Sequence, residues 1–251
     1  MRGKDVIRSQ TERSDSAQAR LPPMALDLEE KPLREIQATQ DVSRKRTAKR
    51  PIMAPKQARA IQTRDRLLDI AGELLSEVGL EDISTNMICA RAGLSPPALY
   101  RYFEDKHDVV EALGMRLMER QNEVLLRWFA RHAPQGIQSM IDNVEEILRE
   151  TAEATASEPG GAWITRVLHA SPKLSHIRIE SHRLVTDAQL EVFSELLPEV
   201  PREELWMRIR IMVEIGYAAL EMMSEEDRVP SDRIFAEAAR MMKFILLEDR
   251  A

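Results

Sequence analysis

Leu67, Leu68, Ala71, Leu74, Leu75 and Val78 fall at i, i+1, i+4, i+7, i+8 and i+11. They make one face of a helix that turns every 3.6 residues or so. The same period returns in segment after segment toward the C-terminus, and the breaks between segments are glycine or proline. Gly79 follows the first stripe as a natural residue to end a helix. Ser84 then reads as an N-cap, with Ile83 before it and Ile88 after it at the spacing of a hydrophobic staple. This second helix ends at Gly93.

The segment that follows, LSPPALYRYF, places two prolines where a helix would be expected. A helix N-terminus leaves backbone N–H groups without intrahelical partners, so proline loses nothing in the first turn. Ser95 as N-cap with Pro96 and Pro97 behind it therefore reads as a helix start; because Pro97 disfavours the α conformation at Pro96, the helix could begin at either proline. Leu99 and Phe103 then face a core, and Ala98, Tyr100, Arg101 and Tyr102 face outward. Two helices, a glycine-containing turn and a third helical segment form a helix-turn-helix candidate.

Beyond Asp105 six further helices are expected, at about 106–132, 135–156, 161–170, 173–197, 202–225 and 231–248. The expected fold is all-α, with about nine helices: an N-terminal three-helix helix-turn-helix unit and a larger helical bundle. The scarcity of glycine, 9 in 251 residues, agrees with that class. The domain boundaries expected are 1–57 for a disordered basic extension, 58–106 for the helix-turn-helix domain and 107–251 for the bundle. The first 52 residues read as an extension, and a translation start at Met53, or at Met24 for its first 23 residues, would make it a misassigned one, which intact mass from the native locus would decide.

Charge is unevenly placed. Residues 1–63 carry 14 Lys and Arg against 8 Asp and Glu, whereas the rest carries 22 against 34. Between 42 and 63 stand seven basic residues, among them Arg44, Lys45, Arg46 and Arg59, and no acidic one. A basic arm on an acidic body suits a polyanionic partner or a solvated tail. No apolar run is long enough to span a membrane, no secretory signal is evident at the N-terminus, and the single Cys89 fits a reducing cytoplasm.

The stretch from about Arg64 to Leu113 closely resembles the DNA-binding domain of TetR-family transcriptional regulators. The match runs from Cys89-Ala90-Arg91-Ala92-Gly93-Leu94-Ser95 through Leu99-Tyr100-Arg101-Tyr102-Phe103 to Lys106. The resemblance implies a homodimer, joined through its last two helices, that binds a pseudo-palindromic double-stranded operator as a probable repressor. It implies that Ser95, Pro96, Pro97 and Ala98 open the recognition helix, and that Tyr100 and Tyr102 meet phosphates or thymine methyls. Lys106 would hold a phosphate, while Thr85 and Asn86 would occupy phosphate- and base-contacting positions. These residue types suit those roles, since Lys and tyrosine hydroxyls meet backbone oxygens and Asn can read adenine. Pro97 departs from the common pattern, where glycine or a polar residue is frequent. With two amides removed, base reading shifts toward apolar contact and toward Arg101.

For the C-terminal half, a small apolar effector is expected, with Trp128, Phe129, Trp163 and Met212 as candidate pocket residues; filling the core is the competing role for each. His169, His176 and His182 are spaced for no metal site, no catalytic constellation occurs, and no cofactor is expected. Two other readings stay open: a helix-turn-helix regulator without an effector, and a helical adaptor.

Overall fold

Residues 55–247 are described by a computed structural model, and every regular element among them is helical. Most of the basic arm, Met24 and Met53 lie outside the described residues, as do 248–251. We label the helices α1 Pro55–Asp82, α2 Thr85–Ala92, α3 Pro96–Leu99, α4 Lys106–His132, α5 Ile137–Asp142, α6 Val144–Ser157, α7 Gly161–Ala170, α8 Ser175–Leu196, α9 Arg202–Glu225 and α10 Ser231–Leu247. No helix among the described residues is long and apolar enough to cross a membrane.

Several ends are set by the residues that the sequence marks. Gly79 breaks α1 with φ 76°, and one irregular turn carries the chain to Ser84. There Ser84 Oγ accepts from Met87 N at 3.3 Å, while Ile83 and Ile88 are both buried. Gly93 closes α2 in the left-handed region, its amide and that of Leu94 returning to Ala90 O and Cys89 O. Asp105 caps α4 by accepting from His107 N at 2.7 Å and Asp108 N at 3.0 Å. The Asp108 and His107 amides hold the Asp105 carboxyl below its usual range despite the opposing effect of desolvation.

Three expectations are corrected. Helix α1 begins at Pro55, inside the stretch read as an extension and well before the apolar stripe. The helix opened by Pro96 and Pro97, expected to carry both Leu99 and Phe103 on one face, is a single turn, Pro96–Leu99, after which Tyr102 N and Phe103 N both return to Leu99 O. The helix expected at 135–156 is broken at Asn143 (φ −108°, ψ 17°), making ten α-helices among the described residues. Asn143 stabilises that break itself: its Nδ2 donates to Ser139 O at 2.7 Å, and its carbonyl accepts from Trp128 Nε1 at 3.1 Å.

Buried side chains form two clusters. The first joins α1, α2 and α3 to the N-terminal half of α4 and to α7, through Leu68, Leu75, Ile88, Leu99, Leu113 and Ile164. The second joins the C-terminal half of α4 to α5, α6, α8, α9 and α10, through Trp128, Met140, Leu148, Leu190, Ile209 and Ile234. Helix α4, at about 1.5 Å per residue, thus runs roughly 40 Å through both. Gly114 lies where α4 meets α7, and a Cβ there would come within 2.8 Å of Leu168 Cδ2. Close packing therefore accounts for this glycine within a helix.

Candidate nucleic-acid interface and ligand cavity

Leu99 and Phe103 are fully or nearly buried and anchor the α3 turn on the first core. What they leave outside is Ser95, Pro96, Pro97, Tyr100 and Arg101, all exposed, with Ala98 half-buried. From α2, Asn86 is exposed and Thr85 half-buried. The structure brings Thr85 and Tyr100 together: their hydroxyl oxygens lie 3.2 Å apart, linking the start of α2 to the end of α3. Tyr102, expected to face outward, is half-buried and packs against the first core. The short α3 requires this, because the chain turns back at Leu99 and brings Tyr102 in beside Phe103, ring centres 6.4 Å apart. Also exposed, Arg91 on α2 grips Glu77 on α1 with its two terminal guanidinium nitrogens, at 2.5 and 2.7 Å.

Lys106 has a structural function that sequence did not suggest. Its Nζ donates to Leu80 O at 3.1 Å and Glu81 O at 3.0 Å, the carbonyls at the irregular end of α1. A cation at a helix C-terminus is favoured by the helix dipole as well as by these bonds. The first turn of α4 is thereby tied to the last turn of α1.

Further along α4 lies an ionic cluster with no counterpart in the sequence reading. Arg116 meets Asp69 of α1 at 2.9 Å and also pairs with Glu158, in the connection between α6 and α7. Arg120 meets Glu158 at 2.6 Å, and the Glu158 side chain is fully buried. The next residues press onto α1. A Cβ at Gly72 would collide with the carbonyl oxygen of Pro159 and lie 2.8 Å from its carbon, and one at Gly160 would collide in turn with the Gly72 carbonyl. The glycine pair lets backbone touch backbone, so the Glu158–Gly161 connection rests directly on α1.

In the second core a cavity of about 90 Å³ lies among α4, α6, α8, α9 and α10, walled by Leu125, Trp128, Leu148, Phe193, Met212 and Met242 and their neighbours. Its lining includes no charged residue; the polar members are Gln121, Asn122, Thr151, Gln189 and Tyr217. Asn122, Leu125 and Val185 also line an outer groove of about 370 Å³ between α4 and α8, whose rim carries Glu119 and Glu123. Of the four residues named from sequence, Trp128 and Met212 line the cavity. Phe129 does not; it is buried edge-on between Trp128 and Phe193, at 5.4 and 6.1 Å. Trp163 is on the exposed face of α7, because that helix buries Ile164, Val167 and Leu168 instead, and Arg166 covers its ring. Gly216 faces inward to Leu148 and lines the cavity. The polar lining was missed, although Gln121 interrupts the apolar stripe Leu117, Val124, Trp128 at helical spacing.

Behind Tyr217 the wall is charged. Its ring stacks on His182 at 3.9 Å, and His182 Nδ1 lies 2.9 Å from a Glu214 oxygen that Arg210 also grips at 2.5 Å. Burial pushes the His182 pKa down to about 4, against the opposing pull of Glu214. Burial, followed by the charge of Glu214, raises that of Tyr217. His182 is therefore neutral in the folded chain and takes up a proton only on unfolding once pH falls below its ordinary value of 6.5. Stability should be complete above that value and fall as pH drops toward 4, by roughly 2 kcal/mol at about pH 5. Thermal melts of the protein and of His182→Gln across that window check this; parallel curves would refute it.

A glycine-closed α2, a proline-opened α3 with its residues exposed, and a long helix leading into a cavity-bearing bundle define a helix-turn-helix DNA-binding protein. Residues 67–113 match the family described as bacterial regulatory proteins, tetR family. The Escherichia coli (strain K12) HTH-type transcriptional regulator UidR is 27% identical over 194 residues, covering 74% of this chain and 93% of that protein. A TetR-family regulator from Syntrophomonas wolfei superposes with a TM-score of 0.61 at 15% identity, covering 74% of this chain and 95% of the other. One from Mesorhizobium loti gives 0.58 at 14%, covering 76% and 98%. Residues 67–113 thus carry the sequence of a TetR-family DNA-binding domain, and the chain is similar over most of its length to HTH-type transcriptional regulators.

Proposed function

We propose that this regulator is a homodimeric cytoplasmic repressor whose hold on a pseudo-palindromic operator is set by a small, largely apolar ligand in the α4–α10 cavity. The observation that carries the reading is the route between the two ends of the molecule. Helix α4 forms part of the cavity wall at Gln121, Leu125 and Trp128, and the same helix, through Arg116 and Lys106, holds α1. A ligand that favours one placement of α4 changes DNA affinity only through that preference, and couplings of about 1–3 kcal/mol are usual. This reading divides the chain into a DNA-binding part at 58–106 and an effector and dimer part at 107–251, with the first core, which extends into α7, between them.

Support for a second copy comes from an exposed apolar face on the last two helices, with Met207, Ile211 and Met222 on α9 and Met241 and Phe244 on α10. Two such pairs can bury one another as a four-helix bundle. On DNA, Pro96, Pro97 and Ala98 would meet thymine methyls, Tyr100 with Thr85 a phosphate, and Arg101 and Asn86 base edges; Tyr102 would reach a phosphate by its edge. Lys106 has a third N–H to offer a phosphate beyond its two carbonyl bonds. Fluorescence anisotropy on the promoter of its own gene or a neighbouring one, at a series of salt concentrations, tests the whole reading. Absence of binding even at low salt would overturn it.

The roles separate by substitution. Arg101→Ala should relax discrimination at one or two operator positions, by roughly 1–3 kcal/mol each, and leave the melting temperature unchanged. Lys106→Ala should lower affinity for all sequences alike, reduce the salt slope by about one, and lower the melting temperature as well. Base-resolved binding on single-substituted operators, alongside melts, distinguishes them; a position-specific loss in Lys106→Ala would reverse the assignment.

A further inference from the structure

Among the described residues, one fully buried side-chain atom in the cavity wall has no hydrogen-bond partner. Gln121 is 3% exposed and lines the cavity. Its Nε2 donates to Thr155 Oγ1 at 2.8 Å, and its Oε1 is buried without a hydrogen-bond partner among the described residues. The orientation of that amide is fixed by its neighbour. Thr155 Oγ1 gives its own proton to Thr151 O at 2.8 Å, so toward Gln121 it can only accept. Gln121 must therefore present N–H to Thr155 and keep its carbonyl oxygen for something else.

We infer that the effector is an uncharged, mainly apolar molecule carrying one hydroxyl or N–H group that donates to Gln121 Oε1. This inference rests on the proposed effector reading and specifies the chemistry of its site. A buried carbonyl oxygen left unbonded is costly, and a donor on the ligand removes that cost on binding. The lining has no Asp, Glu, Lys, Arg or His to neutralise an ionised ligand. Burying an unpaired charge is far more costly than leaving one carbonyl unbonded. Glu119 and Glu123 line the outer groove that shares Asn122, Leu125 and Val185 with the cavity, and they disfavour an anion there. Trp128, Phe193 and Tyr217 place aromatic rings in the lining, which fits an aromatic or branched carbon skeleton.

Four probes that share one skeleton test this by calorimetry on the full-length protein: para-ethylphenol, its methyl ether, para-ethylbenzoate and para-ethylbenzylammonium. The phenol should bind best, with the ether about tenfold weaker because it lacks the donor. In Gln121→Leu the phenol should lose that advantage and the two should bind alike. In Thr155→Val, where the amide is free to turn over and offer its NH₂ group, the gap should narrow. The ranking in the unaltered protein does not depend on how either variant folds. Equal binding of phenol and ether there would overturn the donor assignment while leaving the effector cavity intact. Preference for the benzoate or the ammonium would overturn the uncharged class. Failure of all four to bind would overturn the site together with the effector reading beneath it.

Discussion

Glu158→Ala should destabilise the fold by about 3–5 kcal/mol, the usual cost of removing one partner from a buried ion pair. The carboxylate is fully buried and serves two guanidinium groups, so its loss leaves Arg116, itself only 13% exposed, with Asp69 as its one acidic partner and the Asp65 carbonyl at 3.5 Å. Arg120 is 43% exposed and can turn to solvent, so most of the cost falls on Arg116. For a chain of this size the melting temperature should drop by roughly 6–20 °C. Circular dichroism melts measure it, and a change of a degree or two would mean that the cluster contributes little. Arg149→Ala offers the contrast. It also joins two acidic partners, Glu145 and Asp232, but at the surface, where such pairs contribute about 0–1 kcal/mol.

Gly72→Val is the second large effect. Valine is a little better than glycine in a helix, a gain of a few tenths of a kcal/mol. Against it stands a Cβ that would collide with the Pro159 carbonyl, a backbone group that cannot rotate aside. Overpacking of this kind costs about 1–3 kcal/mol, and the rigidity of the Pro159–Gly160 backbone puts the expected value near the upper end. The two substitutions act on one contact: removing the Glu158 pairs or inserting a side chain at Gly72 each lets the α6–α7 connection leave α1. Their combined effect should therefore fall short of the sum by at least about 0.5 kcal/mol in a double-mutant cycle. Strict additivity would show that the ion cluster and the glycine contact are independent.

Much of the DNA-binding half was legible because its signals are local. Ser84, Gly93 and the Leu99–Phe103 pair each state their role within a few residues of chain, and caps, left-handed turns and i,i+4 faces follow from backbone geometry alone. The start of the third helical segment, at Pro96 and Pro97, was legible and its end was not, since nothing in Tyr100-Arg101-Tyr102 announces that the chain turns at Leu99. Lys106 was read from its position in a motif, but its bonds to Leu80 O and Glu81 O join residues about 25 positions apart. Glu158 was passed over for the same reason: its partners lie on α4, and only the packing of α4 against the α6–α7 connection brings them together. The cavity was half legible. Trp128 was found because it is large and sits on the buried stripe of α4, whereas Trp163, equally large, lies one residue off the stripe of α7. Gln121 could have been noticed as a polar residue on an apolar stripe, and Gly72 as a glycine beside one. Those interruptions of pattern are what sequence offers for contacts between distant segments.

The single-turn α3 has a consequence for how such a regulator acquires new targets. Its hold on the rest of the molecule comes from Leu99 and Phe103 on the inner side, while Pro96, Pro97, Ala98 and Arg101 contribute little to that grip. The outer residues can therefore be exchanged, a few at a time, with small losses of stability. On the proposed reading of this face, operator preference can drift, or be redesigned, without the rest of the fold having to adapt.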